Sequence, residues 1–495
     1  MTTNLVPFSR LQQRLIANQF FRNVAILMGG TTLNQIVVVL GSLLLARIYS
    51  PADMGIWTVF LTSVLLFGPL LTFRYESAIV LPNEDSIATH VIFLSCTLTV
   101  LVTLLALFVS VFYSSQIATW INVPTVGPWL WLGTFLLLAA GLNMIANSWL
   151  IRQKQFTVMA TSLLVKSLIT LSIQIGFGYV IGANFVWLIW GTVLGQLAMS
   201  SYLTGSILKY ELTNFIAAFS WQGMLSVAKR YKNFPLYKFP YSIVDTSNRN
   251  LIILLLGIYF TSVEVGLYAM AFRLTYMPVG LISGSLREVF FQKSAVEFGT
   301  QEFEFFVRRM LVLLTVVIIS PAILFIFNAE EIFYFVVGSE WIGSAHYAAW
   351  LTLPCITLTL TAWLNRLYDV TGNQRLAFQL EFGYGIFILI GTIISSKFSS
   401  TPLTVAIVFS LITVMYNLIW LGVTFWVSGF SRTTFWQFYS LFFALAIFNV
   451  CSYLVTERYF PPIGSQLLYL SIAIGFNICI FANYYKQEYP KEIEL

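Results

Sequence analysis

Several ionisable side chains interrupt long apolar runs. The bases are Arg74, Lys166, Arg249 and Arg273, with Arg47 at the rim of the first run, and the acids are Glu76, Asp245 and Glu381. A charge held in hydrocarbon costs at least about 2.5–3.5 kcal/mol, so such residues normally face a cavity or a partner. Guanidinium and ammonium groups suit phosphate anions, and carboxylates suit a coupling proton or cation. Lys166 sits deep in its run, about 15 Å from the end, too far to be relieved by snorkelling alone. Asp245 and Arg249 are four apart, share a helix face and can pair. Arg74 and Glu76 stand in Phe73-Arg74-Tyr75-Glu76 near the end of the second run, where a cavity pair and an interfacial ion pair are equally good readings. Asn34, Gln35, Asn143 and Asn147 add polar lining to the same half, although each taken singly is better read as an interhelical hydrogen bond. His90 and His346 are far apart, and Cys96, Cys355, Cys451 and Cys479 have no ligand spacing. No metal, cofactor or disulfide is expected.

The elements that position these residues follow from composition. Of 495 residues 58% are hydrophobic, 17% aromatic and 9% charged, against about 25% charged in a soluble domain. Too little polar surface exists to cover a soluble core, and the apolar content excludes disorder. The chain reads as an all-α integral membrane protein. A span needs about 20 apolar residues, and that ruler gives fourteen: near 24–48, 55–81, 88–112, 128–151, 157–181, 185–208, 239–260, 266–288, 307–328, 345–368, 376–395, 403–427, 436–456 and 463–485.

Orientation follows from the basic residues, which concentrate on the cytoplasmic side. With the N-terminus inside, the outer segments keep only Arg47, Lys397 and Arg458 of 26 bases. Arg74, Lys166, Arg249 and Arg273 lie within spans, and all the others fall inside. Both termini are therefore expected in the cytoplasm. The net charge of +6 is mostly a topology signal and gives no reason to expect nucleic-acid binding.

The chain also repeats itself. Asp53-Met54-Gly55-Ile56-Trp57 matches Glu264-Val265-Gly266-Leu267-Tyr268. Trp120-Ile121, Trp129-Leu130 and Gln153-Lys154 match Trp341-Ile342, Trp350-Leu351 and Gln374-Arg375 in the same order. A duplicated six-span unit explains this, and because six is even the two copies run parallel through the membrane. The expected division is a cytoplasmic arm at 1–23, an N-terminal six-helix lobe at 24–208, a cytoplasmic connector at 209–238, a C-terminal six-helix lobe at 239–428, and an extra helix pair with a tail at 429–495. The connector, with Lys209, Lys229, Arg230, Lys232 and Lys238 among aromatics, reads first as an interfacial helix on anionic lipid and second as a docking site for a cytoplasmic partner. Pro69 and Pro278 fall at comparable places in the two copies, as bends that support rocking or as static kinks.

The run Ala46-Arg47-Ile48-Tyr49-Ser50-Pro51-Ala52-Asp53-Met54-Gly55, the run Arg74-Tyr75-Glu76-Ser77-Ala78-Ile79-Val80-Leu81-Pro82, Tyr231-Lys232-Asn233-Phe234-Pro235, and Gly266-Leu267-Tyr268-Ala269 with Arg273 and Pro278 resemble the polysaccharide transporter family. These are the Wzx-like O-antigen and exopolysaccharide flippases of the multidrug/oligosaccharidyl-lipid/polysaccharide exporter superfamily. The resemblance covers roughly residues 20–430. It implies two six-helix lobes forming a V around a cleft that opens alternately to either side. It also implies a cavity lined by bases of the first, second, seventh and eighth helices, here Arg74, Arg249 and Arg273 with Arg47 at the rim. Lys166 matches no family motif and rests on depth alone.

On this resemblance the expected function is transport, not catalysis: a flippase moving undecaprenyl-pyrophosphate-linked oligosaccharide repeat units, for O-antigen, capsule or exopolysaccharide, across the bacterial inner membrane. Asp245, Glu76 and Glu381 are the candidate ion-coupling carboxylates. Expected partners are the lipid-linked oligosaccharide, membrane lipid, and a polysaccharide polymerase with its chain-length machinery. Two alternatives remain: a membrane glycosyltransferase, polymerase or ligase acting on the same lipid, and a cation-coupled drug antiporter of the same superfamily. Short outer loops speak against the first, and the Arg-Tyr-Glu run against the second.

Overall fold

The computed structural model describes residues 29–218, 220–399 and 401–488. The arm expected at 1–23 and the end of the tail lie outside them. The described residues are mostly helical and form no strand. They fall into two compact units, Met1–Gly266 and Leu267–Leu495.

The first unit contains α1 (Gly29–Ile48), α2 (Pro51–Leu65), α3 (Asp85–Phe112), α4 (Ser114–Trp120), α5 (Leu132–Arg152), α6 (Phe156–Val180), α7 (Phe185–Ala218), α8 (Trp221–Arg230) and α9 (Phe239–Tyr259). The second is built from α10 (Ser262–Glu297), whose first turn still belongs to the first unit, then α11 (Gln301–Phe327), α12 (Ala329–Val336), α13 (Ile342–Thr361), α14 (Leu367–Val370), α15 (Gln374–Phe398), α16 (Pro402–Val427), α17 (Arg432–Tyr459) and α18 (Pro462–Glu488). Each of the fourteen intervals expected to span carries helix. Twelve helices among the described residues are long and apolar enough to cross a membrane. The other two, α9 and α13, are of comparable length but carry Asp245 with Arg249, and a run of threonines, respectively. The repeat is visible in the order of elements. α3 is followed by short α4 and a 3₁₀ turn at Pro124–Trp129, and α11 by short α12 and a 3₁₀ turn at Ser339–Trp341.

Local chemistry sets the helix ends. Ser50 caps α2 by accepting from Asp53 N at 3.2 Å, with Pro51 in the first turn. Asp53 Oδ1 also accepts from Phe185 N at 3.0 Å, so one carboxylate serves the starts of both α2 and α7. Thr300 and Ser431 cap α11 and α17 in the same manner.

The second span departs from the expectation of a single helix over 55–81. The α-helix α2 ends at Leu65 after about 22 Å, and the stretch long and apolar enough to cross runs on through the following turn, Pro51–Leu70. A 3₁₀ turn follows at Gly68–Leu70, where Pro69 removes a backbone donor, and another at Tyr75–Ala78. Between them Phe73 (φ 47°) and Arg74 (φ 65°) occupy the left-handed region. Pro69 thus belongs to a helix break, whereas Pro278 lies inside α10.

In the second unit α17 and α18 are fastened to α11. Ser320 donates to Asn449 Oδ1 at 2.7 Å, Asn477 donates to Ser320 Oγ at 2.7 Å, and Tyr469 donates to the Ser320 carbonyl at 3.1 Å, all buried. A cluster including Phe303, Leu311, Trp363, Leu421, Phe438 and Tyr469 surrounds this network. The helix pair beyond a twelve-helix core is therefore an integral part of its unit.

Candidate polar site at a broken membrane helix

The turns that follow the apolar stretch Pro51–Leu70 present charge. The left-handed conformation of two non-glycine residues costs on the order of 1–3 kcal/mol each, and surrounding contacts hold it. The Phe73 ring packs against Phe239 at the start of α9, centroids 4.9 Å apart. Arg74 Nε donates to Ser242 Oγ at 2.6 Å, and Ser242 Oγ donates to the Lys238 carbonyl at 2.8 Å. Nη1 of Arg74 lies 3.5 Å from Glu76 Oε1. The Thr72 hydroxyl donates to Glu76 Oε2 and the Ser77 hydroxyl to Oε1 at 3.2 Å. The Glu76 side chain is only 5% exposed and that of Arg74 is 27% exposed. The carboxylate is therefore buried with three polar neighbours, while the Arg74 side chain is only partly covered.

On α9 the residues that follow continue the polar surface. Ser242, Asp245 and Arg249 are spaced three and four apart, one face of the helix. Arg249 Nε donates to Asp245 Oδ1 at 3.0 Å, the pairing expected from their spacing; the side chains are 74% and 29% exposed. The first unit thus gathers Arg74, Glu76, Asp245 and Arg249 on two adjoining elements.

The other expected residues are carried by other elements. Asn34 accepts from Ser167 at 2.8 Å, an interhelical bond between α1 and α6. Asn143 accepts from Ser200 at 2.8 Å, joining α5 to α7. Gln35 and Arg47 are exposed on α1 and Asn147 is half-buried on α5. Lys166 is half-buried on α6, with its carbonyl against Gly195 of α7. Among the described residues no hydrogen bond or ion pair joins its ammonium to the Arg74 group. In the second unit Arg273 is half-buried on α10 beside the stacked Phe272 and Tyr276 rings, centroids 4.0 Å apart. Glu381 accepts from Tyr416 at 2.7 Å between α15 and α16. Among the described residues no three His, Cys, Asp or Glu side chains could hold a metal ion.

Two contributors escaped sequence reasoning. Ser242 carries no signal of its own, being 168 residues from the arginine it orients. Arg152, which counted only as a cytoplasmic base, clamps the loop after the break. It reaches Asp85 Oδ1 through Nε at 2.9 Å and Nη2 at 2.7 Å, the Asn83 carbonyl at 3.2 Å, and the carbonyls of Ile79 and Pro82.

The fold is shared with solved transporters. The structure titled "Lipid II flippase MurJ, inward closed conformation" superposes with a TM-score of 0.73 at 16% identity, covering 94% of this chain and 99% of that one. A match confined to residues 1–428 of 495 could not reach that coverage, so the likeness extends into α17–α18. An inward-facing multidrug resistance MATE family transporter of the MOP superfamily gives 0.62 at 13% identity, covering 80% and 95%. The MATE multidrug transporter DinF-BH gives 0.57 at 14% identity, covering 87% and 98%. No curated relative matches in sequence. The family model described as "Polysaccharide biosynthesis protein" matches residues 44–346, which include the broken span, Ser242, the Asp245–Arg249 pair and both copies of the glycine motif; the chain belongs to that family.

Proposed function

We propose that the protein is a flippase that carries undecaprenyl-pyrophosphate-linked oligosaccharide repeat units across the bacterial inner membrane by alternating access. A pyrophosphate and its sugars cannot enter hydrocarbon unaided, because their desolvation is prohibitive. They need a polar path through protein while the lipid tail stays in the bilayer. The observation that carries the reading is Arg74. Its Nε is fixed by Ser242, its position is set by a strained helix break, and its side chain is only partly covered. Such a preorganised guanidinium binds phosphate oxygens with charge-assisted hydrogen bonds. Arg249, Arg273, Lys166 and Arg47 would serve the anion at other stages. Asn34, Gln35, Asn143 and Asn147 would line the path. Glu76 would be the foremost coupling carboxylate because it is buried beside Arg74, with Asp245 and Glu381 as the others. Membership in a polysaccharide biosynthesis family and a fold shared with a lipid II flippase support this reading over a glycosyltransferase or polymerase. A polysaccharide polymerase and its chain-length machinery would act on the delivered units.

A drug antiporter is the second reading, supported by the shared MATE fold. Deletion of the gene in a strain with no other flippase separates the two. Accumulation of lipid-linked repeat units facing the cytoplasm is expected; normal surface polysaccharide together with new drug sensitivity would select the antiporter.

A further inference from the structure

The connector helix α8 has two unlike faces. Its inner face is docked on the first unit. Met224 and Val227 are buried, and Gly223 lies so close to α3 that a Cβ there would fall on His90 Nε2. Its outer face carries Trp221 (62% exposed), Leu225, Lys229 and Arg230, continued by Lys232, Leu236 and Tyr237, all exposed. Aromatic and aliphatic side chains beside lysines, on a helix joining two membrane spans, have the composition of an interfacial helix. Unbroken basic charge on that face fits a phosphate-rich, anionic surface, and the adjacent Trp and Leu fit the acyl boundary beneath it.

The inner face leads to the break. Tyr75, between Arg74 and Glu76, donates its hydroxyl to the Ala228 carbonyl at 3.1 Å. Tyr75, Ala78 and Ile79 share one apolar cluster with Val227, Tyr231 and Phe234 of the connector. From the connector's far end Lys238 supplies the carbonyl that orients Ser242, and Phe239 packs on Phe73. The connector therefore holds the Arg74 turn from both sides.

We propose that the outer face of α8 binds the headgroups of anionic phospholipids and that the Tyr75–Ala228 hydrogen bond passes the helix position to the Arg74–Glu76 turn, making that turn responsive to anionic lipid. The regulatory meaning rests on Arg74 being part of the transport site; the lipid binding and the mechanical link do not. Each lysine near an anionic surface is worth about 1 kcal/mol, or about fivefold in association.

Hydrogen–deuterium exchange of the full chain in nanodiscs of phosphatidylcholine alone or mixed with phosphatidylglycerol tests this without any transport measurement, so failure here is separable from failure of the flippase reading. Phosphatidylglycerol is expected to slow exchange in 221–230 and in 72–79. Lys229→Gln with Lys232→Gln should cut the slowing in both segments by at least about fivefold. Tyr75→Phe should keep it in 221–230 and lose it in 72–79. Exchange in 221–230 that is the same in both lipids, or unchanged by the lysine substitutions, overturns the lipid site. A turn that still responds in Tyr75→Phe overturns the link.

Discussion

Gly55 and Gly266 pack backbone against backbone. A Cβ added at Gly55 would fall on the Ser262 carbonyl oxygen and lie 3.0 Å from Gly266 N, and one added at Gly266 would fall on the Pro51 carbonyl oxygen and lie 3.0 Å from Gly55 N. The two contacts exchange under the sequence repeat, since Pro51 corresponds to Ser262 as Gly55 does to Gly266. Each copy of the motif thus supplies both the glycine and the carbonyl that the other copy meets, all within the first unit. Small residues are what let two helices approach so closely.

Alanine at either glycine is therefore expected to destabilise the protein by on the order of 1–3 kcal/mol, because a backbone carbonyl, unlike a side-chain tip, cannot rotate away. Thermal unfolding in detergent checks this. Gly29, with open space around its Cβ position, serves as the control, and Gly29→Ala should leave the midpoint unchanged.

Ser242→Ala removes the acceptor that fixes Arg74 Nε. One hydrogen bond to a charged group is worth about 1.5–3 kcal/mol, so translocation should fall roughly tenfold or more while Arg74 keeps its charge. Arg74→Lys should be similarly impaired, since an ammonium cannot keep the Ser242 contact and offer a planar fork to phosphate. Initial rates of translocation across both variants test the point, and a wild-type rate in Ser242→Ala would show that Arg74 needs no such orientation.

Among the three carboxylates, Glu76→Gln is expected to have the largest effect on ion-gradient dependence, because its oxygens face Arg74, Thr72 and Ser77 in a buried site. Asp245→Asn weakens an ion pair whose arginine is mostly exposed already, and a pair of that kind contributes about 0–1 kcal/mol. Translocation with and without an imposed gradient distinguishes them; unchanged dependence in Glu76→Gln with loss in Glu381→Gln would move the coupling role to the second unit.

Arg152→Ala should loosen the loop after the break, because the clamp joins Asp85 to three backbone carbonyls through one guanidinium. A loss of about 2–3 kcal/mol is expected from a charge-assisted network of this size. Arg152→Lys should recover only part of it. Faster proteolysis within 79–85 reports the loosening directly.

Much of this was legible in the sequence, and the gaps have physical causes. Apolar length located the long helices, and the Asp245–Arg249 pair followed from helical spacing alone. The break at 66–84 was hidden because Phe67 to Leu81 stays apolar enough to imitate a helix, and hydropathy does not register left-handed backbone at Phe73 and Arg74. Ser242 was invisible because its role depends on a tertiary contact between distant spans. Asn34 and Asn143, each of which taken singly reads as an interhelical hydrogen bond, have interhelical serine partners; a polar side chain in a span does not announce which neighbour satisfies it.

Purified protein in proteoliposomes, supplied with undecaprenyl-pyrophosphate-linked oligosaccharide and assayed for exposure of the sugar on the opposite leaflet, tests the central claim. Wild-type protein is expected to flip the lipid well above protein-free vesicles, and Arg74→Glu, inserted at equal density, is expected to fall to that background. No translocation by wild type under an imposed ion gradient, or full translocation by Arg74→Glu, would contradict it.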